Sequence, residues 1–183
     1  MKENKHSAIW FLLGLTISFI SVYFIAKNID VIKRFIDSMG VFGPLVSILI
    51  YGAFSVTPIP TDPLTVINGA IFGPVLGILT SWWGNNFAAF LEYFLGKRIR
   101  DLTNFEKMRK NLPFGIGKLP VDSVGFLLGG RFVPQFGGKM VSLMGGMYGV
   151  SLKRYMWTAC VSNLLGSIMF ALGGWGFIKT IHL

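Results

Sequence analysis

Four ionisable residues stand inside otherwise apolar stretches of this 183-residue sequence, namely Asp62, Glu92, Arg131 and Lys139. An ionisable group at bilayer depth costs about 2.5–3.5 kcal/mol on insertion scales, so each one needs a partner, a water-filled cavity or a function. The guanidinium of Arg131 suits a phosphate, to which it can donate two parallel hydrogen bonds, and the ammonium of Lys139 suits a point contact. We therefore expect these residues to bind an anionic group, with Asp62 exchanging a proton or an ion-pair partner.

The same residues also have a structural interpretation. A permanent ion pair between Asp62 and Arg131 would hold two chain segments together without any other role. Glu92 lies one and a half helical turns before Lys97, so a surface pair with Lys97 or Arg98 is as strongly indicated as a functional role.

Prolines interrupt the apolar stretches beside these charges. Pro58, Pro60 and Pro63 surround Asp62, and Pro134 interrupts a second stretch. Proline removes a backbone donor and clashes with a preceding carbonyl, so each stretch is predicted to be two half-helices that meet at a non-helical turn. Such backbone is tolerated at membrane depth only where protein or a cavity surrounds it. We expect the backbone opened by Pro58, Pro60 and Pro134 to solvate a polar group.

The elements that position these residues are all predicted to be helical. They are a membrane-spanning helix at Ala8–Ala26, an interfacial amphipathic helix over residues 28–40, a proline-broken segment over residues 41–72, a span at Pro74–Leu95, a second broken segment over residues 123–148 and a span at Tyr155–Ile178. The first span has 19 residues without a charge, close to the roughly 20 that cross a bilayer. The predicted fold class is therefore an all-α integral membrane protein.

Composition excludes an ordinary soluble domain. Charged residues make up 14% of the chain and hydrophobic residues 52%, whereas soluble domains carry roughly 25% charged residues. The net charge of +9 does not indicate nucleic acid, because the basic residues cluster in loops as the positive-inside rule requires. Loop 97–122 has seven Lys and Arg against three acids, so we expect it to be cytoplasmic. One cysteine, Cys160, and two terminal histidines indicate no metal site or cofactor.

The two halves of the chain resemble each other at an offset of 76 residues. This offset superposes Pro58 on Pro134, Gly69 on Gly145, Phe72 on Tyr148 and Gly73 on Gly149. We divide the chain into an N-terminal part (1–39) and a membrane domain (40–183), with repeat 1 at about 41–96 and repeat 2 at about 123–179. Counting membrane crossings from a cytoplasmic N-terminus makes the repeats inverted, an architecture typical of secondary transporters.

Small and amide residues are predicted to join the helices. The glycines Gly69, Gly73, Gly145, Gly146 and Gly149 permit close helix contact, and Asn85 and Asn86 are expected to hydrogen-bond between helices. The glycine-rich faces permit a homodimer without requiring one.

Three motifs resemble the DedA, or VTT-domain (SNARE-associated Golgi protein), membrane family. They are PIPTDPLTVINGAIFG, LGKR and GGRFVPQFGGKMVSLMGGMYGVSLKRY, and the resemblance covers roughly Gly40–Gly174. It implies two opposed re-entrant hairpins and a role in moving phospholipids or polyprenyl-phosphate carriers across the bilayer. Asp62 matches the acid that follows the family's proline turn, and Arg131 matches the arginine that opens its second motif.

Two departures from the family pattern bear on coupling to a proton or another cation. Gly137 stands where many bacterial members have a second arginine, and an upstream acid is missing near Tyr51 and Phe54. Lys139 offers a replacement for the missing positive charge.

The sequence thus favours a transporter of phospholipid or polyprenyl-phosphate lipid, in a prokaryotic cell membrane. The head group of the transported lipid would bind Arg131 and Lys139. The alternative is a membrane scaffold or envelope-maintenance protein, in which the same charges are structural. An enzyme is not expected, because the chain lacks the motifs of intramembrane hydrolases and a second deep aspartate. An ion channel is disfavoured because the spans carry few polar residues.

Overall fold

A computed structural model describes residues 16, 20, 23, 27–57, 59–103, 105, 119–133 and 136–181. Every secondary-structure element in these ranges is helical, which confirms the predicted all-α class for this part of the chain. Nearly all of the predicted span Ala8–Ala26, most of loop 97–122, Pro58 and Pro134 lie outside the described residues.

Six α-helices and two 3-10 turns make up the described chain. They are α1 (Ile29–Ser38), a 3-10 turn (Gly40–Phe42), α2 (Gly43–Ser55), α3 (Asp62–Leu102), α4 (Val124–Gly129), a 3-10 turn (Gly130–Phe132), α5 (Gly137–Met147) and α6 (Leu152–Ile181). Helix α1 coincides with the predicted amphipathic helix. The interruptions between α2 and α3 and between α4 and α5 fall at the two proline motifs. We call residues 43–72 the first hairpin and residues 124–147 the second hairpin.

Helix α3 joins two elements that the sequence predicts as separate. It runs for 41 residues with a break at Gly73, whose φ of 74° and ψ of −177° suit a residue without a Cβ atom. The sequence predicts that Gly73 packs against a helix, but apart from its own chain neighbours no heavy atom of the described residues lies within 4 Å of the position that a Cβ would take, so its role is conformational. Gly149, its equivalent at the 76-residue offset, also has a positive φ, of 70°.

Each hairpin packs closely on the long helix of the other half. A Cβ atom at Gly69 would lie 1.9 Å from the carbonyl oxygen of Ala171, so the first hairpin and α6 touch backbone to backbone. Contacts of the same kind join Gly174 to Val66, Gly96 to Leu143 and Gly146 to Tyr93. The predicted close contacts at Gly69 and Gly146 are therefore present.

Helix α3 directs polar side chains inward and apolar side chains outward, beside a core that also contains buried apolar residues. Helix α3 buries Thr80, Ser81, Asn86 and Glu92 and exposes Val75, Leu76, Leu79, Trp83, Phe87, Phe90 and Phe94. Apart from the adjacent Val75 and Leu76, the exposed residues recur every three or four positions and so form one apolar stripe along the helix. Two described helices, Asp62–Leu102 and Leu152–Gly176, are long and apolar enough to cross a membrane. An exposed apolar stripe opposite buried polar side chains is the arrangement that suits a helix surrounded by lipid.

Candidate functional site

A cavity of about 210 Å³ lies where the two hairpins meet the two long helices. Asp62 reaches it from the first turn of α3, Glu92 from farther along α3, Arg131 from the 3-10 turn after α4, and Lys139 from the first turn of α5. Pro60 also lines the cavity. The fold therefore brings together the four ionisable residues that the sequence singles out, from positions up to 77 residues apart.

The hydrogen-bond donors of Lys139 are fully used by the protein. Its Nζ donates to the carbonyl oxygens of Phe54 at 2.9 Å and Ile59 at 3.0 Å, and also to the carbonyl oxygen of Thr57. An ammonium group has three N–H donors, so these three acceptors satisfy it completely. A lipid phosphate at Lys139, as the sequence suggested, would have to displace one of these carbonyls.

Glu92 is the ionic partner of Lys139. The Nζ of Lys139 lies 3.8 Å from Oε1 of Glu92, and only 5% of the Glu92 residue is exposed. The pair with Lys97 or Arg98 that we considered is not the one formed. Because α3 turns Glu92 toward α5 instead of toward its own C-terminal end, the carboxylate is part of the cavity wall.

Arg131, unlike Lys139, has hydrogen-bond donors that the described residues do not satisfy. Its Nε and Nη2 atoms are buried and have no hydrogen-bond partner among the described residues. The guanidinium carbon lies 5.2 Å from the centre of the Tyr155 ring, within the range of a cation–π contact. A buried donor without an acceptor costs about 1–3 kcal/mol, so Arg131, which lines the cavity, is a candidate to bind an acceptor there.

Two tyrosines that we did not single out hold Arg131 in place. The Tyr155 hydroxyl donates to the carbonyl oxygen of Ala89 at 2.9 Å, and its ring stacks on Tyr93 with centres 4.8 Å apart. The Tyr93 hydroxyl in turn donates to the carbonyl oxygen of Val150 at 2.6 Å. Polar aromatic residues within an apolar stretch were the available signal for this support, but such residues are also common in ordinary membrane helices.

Asp62 forms no ion pair within 4 Å with any residue that the structure describes, Arg131 and Lys139 included. The permanent Asp62–Arg131 pair considered from the sequence is therefore not present. Neighbouring polar groups bond instead to one another. Thr61 donates to Asn85 at 2.9 Å, and Asn85 donates to Thr65 at 3.2 Å. The Asp62 carboxylate thus lines the cavity without a cationic partner among the residues that the structure describes.

Amide side chains fix the helices around the cavity. The predicted interhelical role of Asn86 is present, because it accepts a hydrogen bond of 3.0 Å from Asn163 on α6. Asn68 was not foreseen. It is fully buried and bonds to Ser47 at 2.7 Å and Ser81 at 3.1 Å, which ties α2 to both parts of α3.

One side of the cavity is apolar and open. Phe132, Val133, Met169 and Phe170 line it, and each of these residues is more than 40% exposed. The cavity therefore has charged groups inside and an apolar rim on the outer surface of the molecule. In the described ranges, no group of three or more His, Cys, Asp or Glu residues could hold a metal ion.

A model of the VTT domain matches residues 59–176, which is more than half of the chain and includes every described residue that lines the cavity. Comparisons with curated proteins and with solved structures give no significant match. The motifs, the matched range and the apolar helices agree, and the chain belongs to the VTT-domain family of membrane proteins.

Proposed function

We propose that this protein moves a phospholipid or polyprenyl-phosphate lipid across the membrane through the cavity between its two hairpins. The observation that carries the proposal is the pair of buried donors on Arg131 that have no acceptor in the part of the chain that the structure describes. A phosphate accepts two parallel hydrogen bonds from one guanidinium, and such charge-assisted bonds are about twice as strong as neutral ones. The proposed activity is translocation of the lipid, in which no covalent bond is made or broken.

The shape of the cavity supports an amphiphilic substrate. A phosphate head group would lie at Arg131, while the lipid tail would leave through the apolar rim formed by Phe132, Val133, Met169 and Phe170. A small hydrophilic anion would gain nothing from that rim. The tail can thus stay in the hydrocarbon layer while only the head group enters the protein.

The architecture supports alternating access. We propose that the two hairpins are re-entrant and that the repeats are inverted, with loop 97–122 in the cytoplasm of a prokaryotic cell. The exchange of packing partners between the halves and the matching φ values at Gly73 and Gly149 support this arrangement. In transporters built this way, one repeat rocks against the other around a fixed site near the midplane.

Asp62 gives the site a means of releasing its substrate. A phosphate at Arg131 would stand in the same cavity as the Asp62 carboxylate, and two anions repel each other strongly where water is scarce. We propose that Asp62 binds a proton or another cation while the phosphate is present. After the phosphate leaves, Asp62 is free to approach Arg131.

A liposome assay separates transport from a scaffold role. Purified protein is reconstituted with fluorescent phospholipid or labelled polyprenyl phosphate, and movement between leaflets is followed by quenching from outside. Arg131→Ala and Asp62→Asn are compared with Arg154→Ala. Arg154 is a matched control because its guanidinium is exposed and pairs with Asp122 at the surface, at 2.5 Å.

We expect Arg131→Ala and Asp62→Asn to lose lipid movement while remaining folded, and Arg154→Ala to keep it. A diacylglycerol probe, which lacks the phosphate, should not distinguish Arg131→Ala from the unaltered protein. Normal flux in both cavity variants at equal reconstitution would refute the transport proposal. Loss of folded protein in both variants would favour the scaffold instead.

A further inference from the structure

The carbonyl groups at the tip of the first hairpin form a cage around the ammonium of Lys139. Phe54 lies in the last turn of α2, Thr57 lies two residues beyond its end, and Ile59 lies in the non-helical segment before α3. Their carbonyl oxygens all accept from the same Nζ atom, which comes from the other half of the chain. The turn thus folds around a positive charge that it does not itself supply.

The surroundings of this ammonium are those of a monovalent cation site. Carbonyl oxygens of a broken helix, together with the negative end of a half-helix, coordinate sodium in transporters, and carbonyl rings replace the hydration shell of potassium in channels. Here the carboxylate of Glu92, 3.8 Å from Nζ, provides the counter-charge. Three carbonyls and one nearby carboxylate make up a cage for a single positive charge.

We propose that the Lys139 ammonium is a built-in cation that occupies a monovalent-cation site, so that the first hairpin keeps its shape without a bound sodium or potassium ion. This inference goes beyond lipid transport and does not depend on it. It gives Lys139 a positioning role, because the tip that it holds leads directly to Asp62, the first residue of α3.

An ordinary buried lysine does not account for these contacts. Long lysine side chains within membranes extend toward the interface, where water solvates the charge. The side chain of Lys139 is instead only 13% exposed and ends among carbonyls of another segment. Without the ammonium, the carbonyl oxygens of Thr57 and Ile59 would lose a charged donor, whereas that of Phe54 would still accept from the backbone and the side chain of Thr57.

The test is whether a free cation replaces the missing side chain. Lys139→Ala leaves the cage empty, and Lys139→Ser does so while keeping one hydroxyl donor. Lys139→Met is the matched control, because its side chain fills the same space without a charge. Each protein is purified in choline, sodium, potassium and ammonium chloride at one ionic strength. Its melting temperature is then measured in detergent without added lipid.

We expect the unaltered protein to melt at the same temperature in all four salts. Lys139→Ala and Lys139→Ser should melt roughly 5 °C or more lower in choline and recover part of that loss in ammonium or sodium. Lys139→Met should be destabilised equally in every salt. Because no lipid is present, this outcome is independent of whether the protein transports lipid.

Three results would overturn the proposal. One is an equal melting temperature of Lys139→Ala in choline and in the small cations. Another is an equal cation response in Lys139→Met, which would mark a bulk salt effect. The third is failure of both Lys139→Ala and Lys139→Ser to fold in any salt, because a true cation site would be rescued by a small ion.

Discussion

Replacing Arg131 by Met should move stability and transport in different directions. The substitution removes two buried donors that have no acceptor among the described residues, and each such donor costs about 1–3 kcal/mol. It also removes the contact with the Tyr155 ring, which contributes about 0.5–2 kcal/mol. We therefore expect the free energy of unfolding to stay the same or to rise by a few kcal/mol.

Transport should fall steeply in the same variant. Two hydrogen bonds from a charged group are worth about 1.5–3 kcal/mol each, and every 1.4 kcal/mol is a tenfold change in affinity. Loss of both bonds predicts that phosphate-lipid binding weakens by about 100-fold to 10,000-fold. Arg131→Lys keeps the charge but not the planar pair of donors, so its loss should be intermediate.

Two measurements on the same preparations check this reasoning. The melting temperature in detergent reports stability, and the rate of labelled-lipid movement in liposomes reports transport. A melting temperature of Arg131→Met clearly below that of the unaltered protein would show that the guanidinium donors have acceptors within the folded protein. Unchanged transport would refute the assignment of Arg131 to the phosphate.

Two further predictions concern the glycines that shape the fold. Gly69→Ala should lower the free energy of unfolding by at least about 1–3 kcal/mol, because the new methyl group meets the Ala171 backbone and no flexible side chain can yield. Gly173→Ala, which has open space, is the control and should stabilise by up to about 1 kcal/mol. Gly73→Ala should cost about 1–3 kcal/mol although its surroundings are open, because of its φ of 74°. Gly125→Ala is its control, and equal melting of Gly73→Ala and the unaltered protein would contradict the conformational role.

The helical elements and the site's members were accessible from the sequence. Prolines mark the interruptions because a proline disfavours a helix at its own position, independently of tertiary contacts. The charges were conspicuous because an apolar surrounding makes any ionisable residue costly. The same 76-residue offset superposes Asp62 on Gly138, the residue before Lys139, and Asp62 and Lys139 do line one cavity.

The partners of those charges could not be predicted in the same way. Lys139 has a long side chain, and its Nζ bonds to carbonyls 80 or more residues earlier in the chain. Every residue has a backbone carbonyl, so the residue types in the sequence do not indicate which carbonyls form the cage. The support of Arg131 by Tyr155 depends similarly on how α6 packs against α3. Local chemistry determines where the helices form, whereas tertiary packing determines which groups the charged side chains contact.

The two cations of the cavity show how one site can be both stable and open to a ligand. If all four ionisable groups are charged, Lys139 and Glu92 neutralise each other, and the cage carbonyls complete the solvation of the ammonium. Arg131 and Asp62 then remain as an unjoined cation and anion in the same cavity. Had Lys139 been free, the hairpin tip would have lost its support. Had Arg131 been paired, a phosphate would have needed to break that pair before binding. Among the described residues, the fold thus satisfies the ammonium of Lys139 and leaves the guanidinium of Arg131 available to the lipid phosphate that we propose.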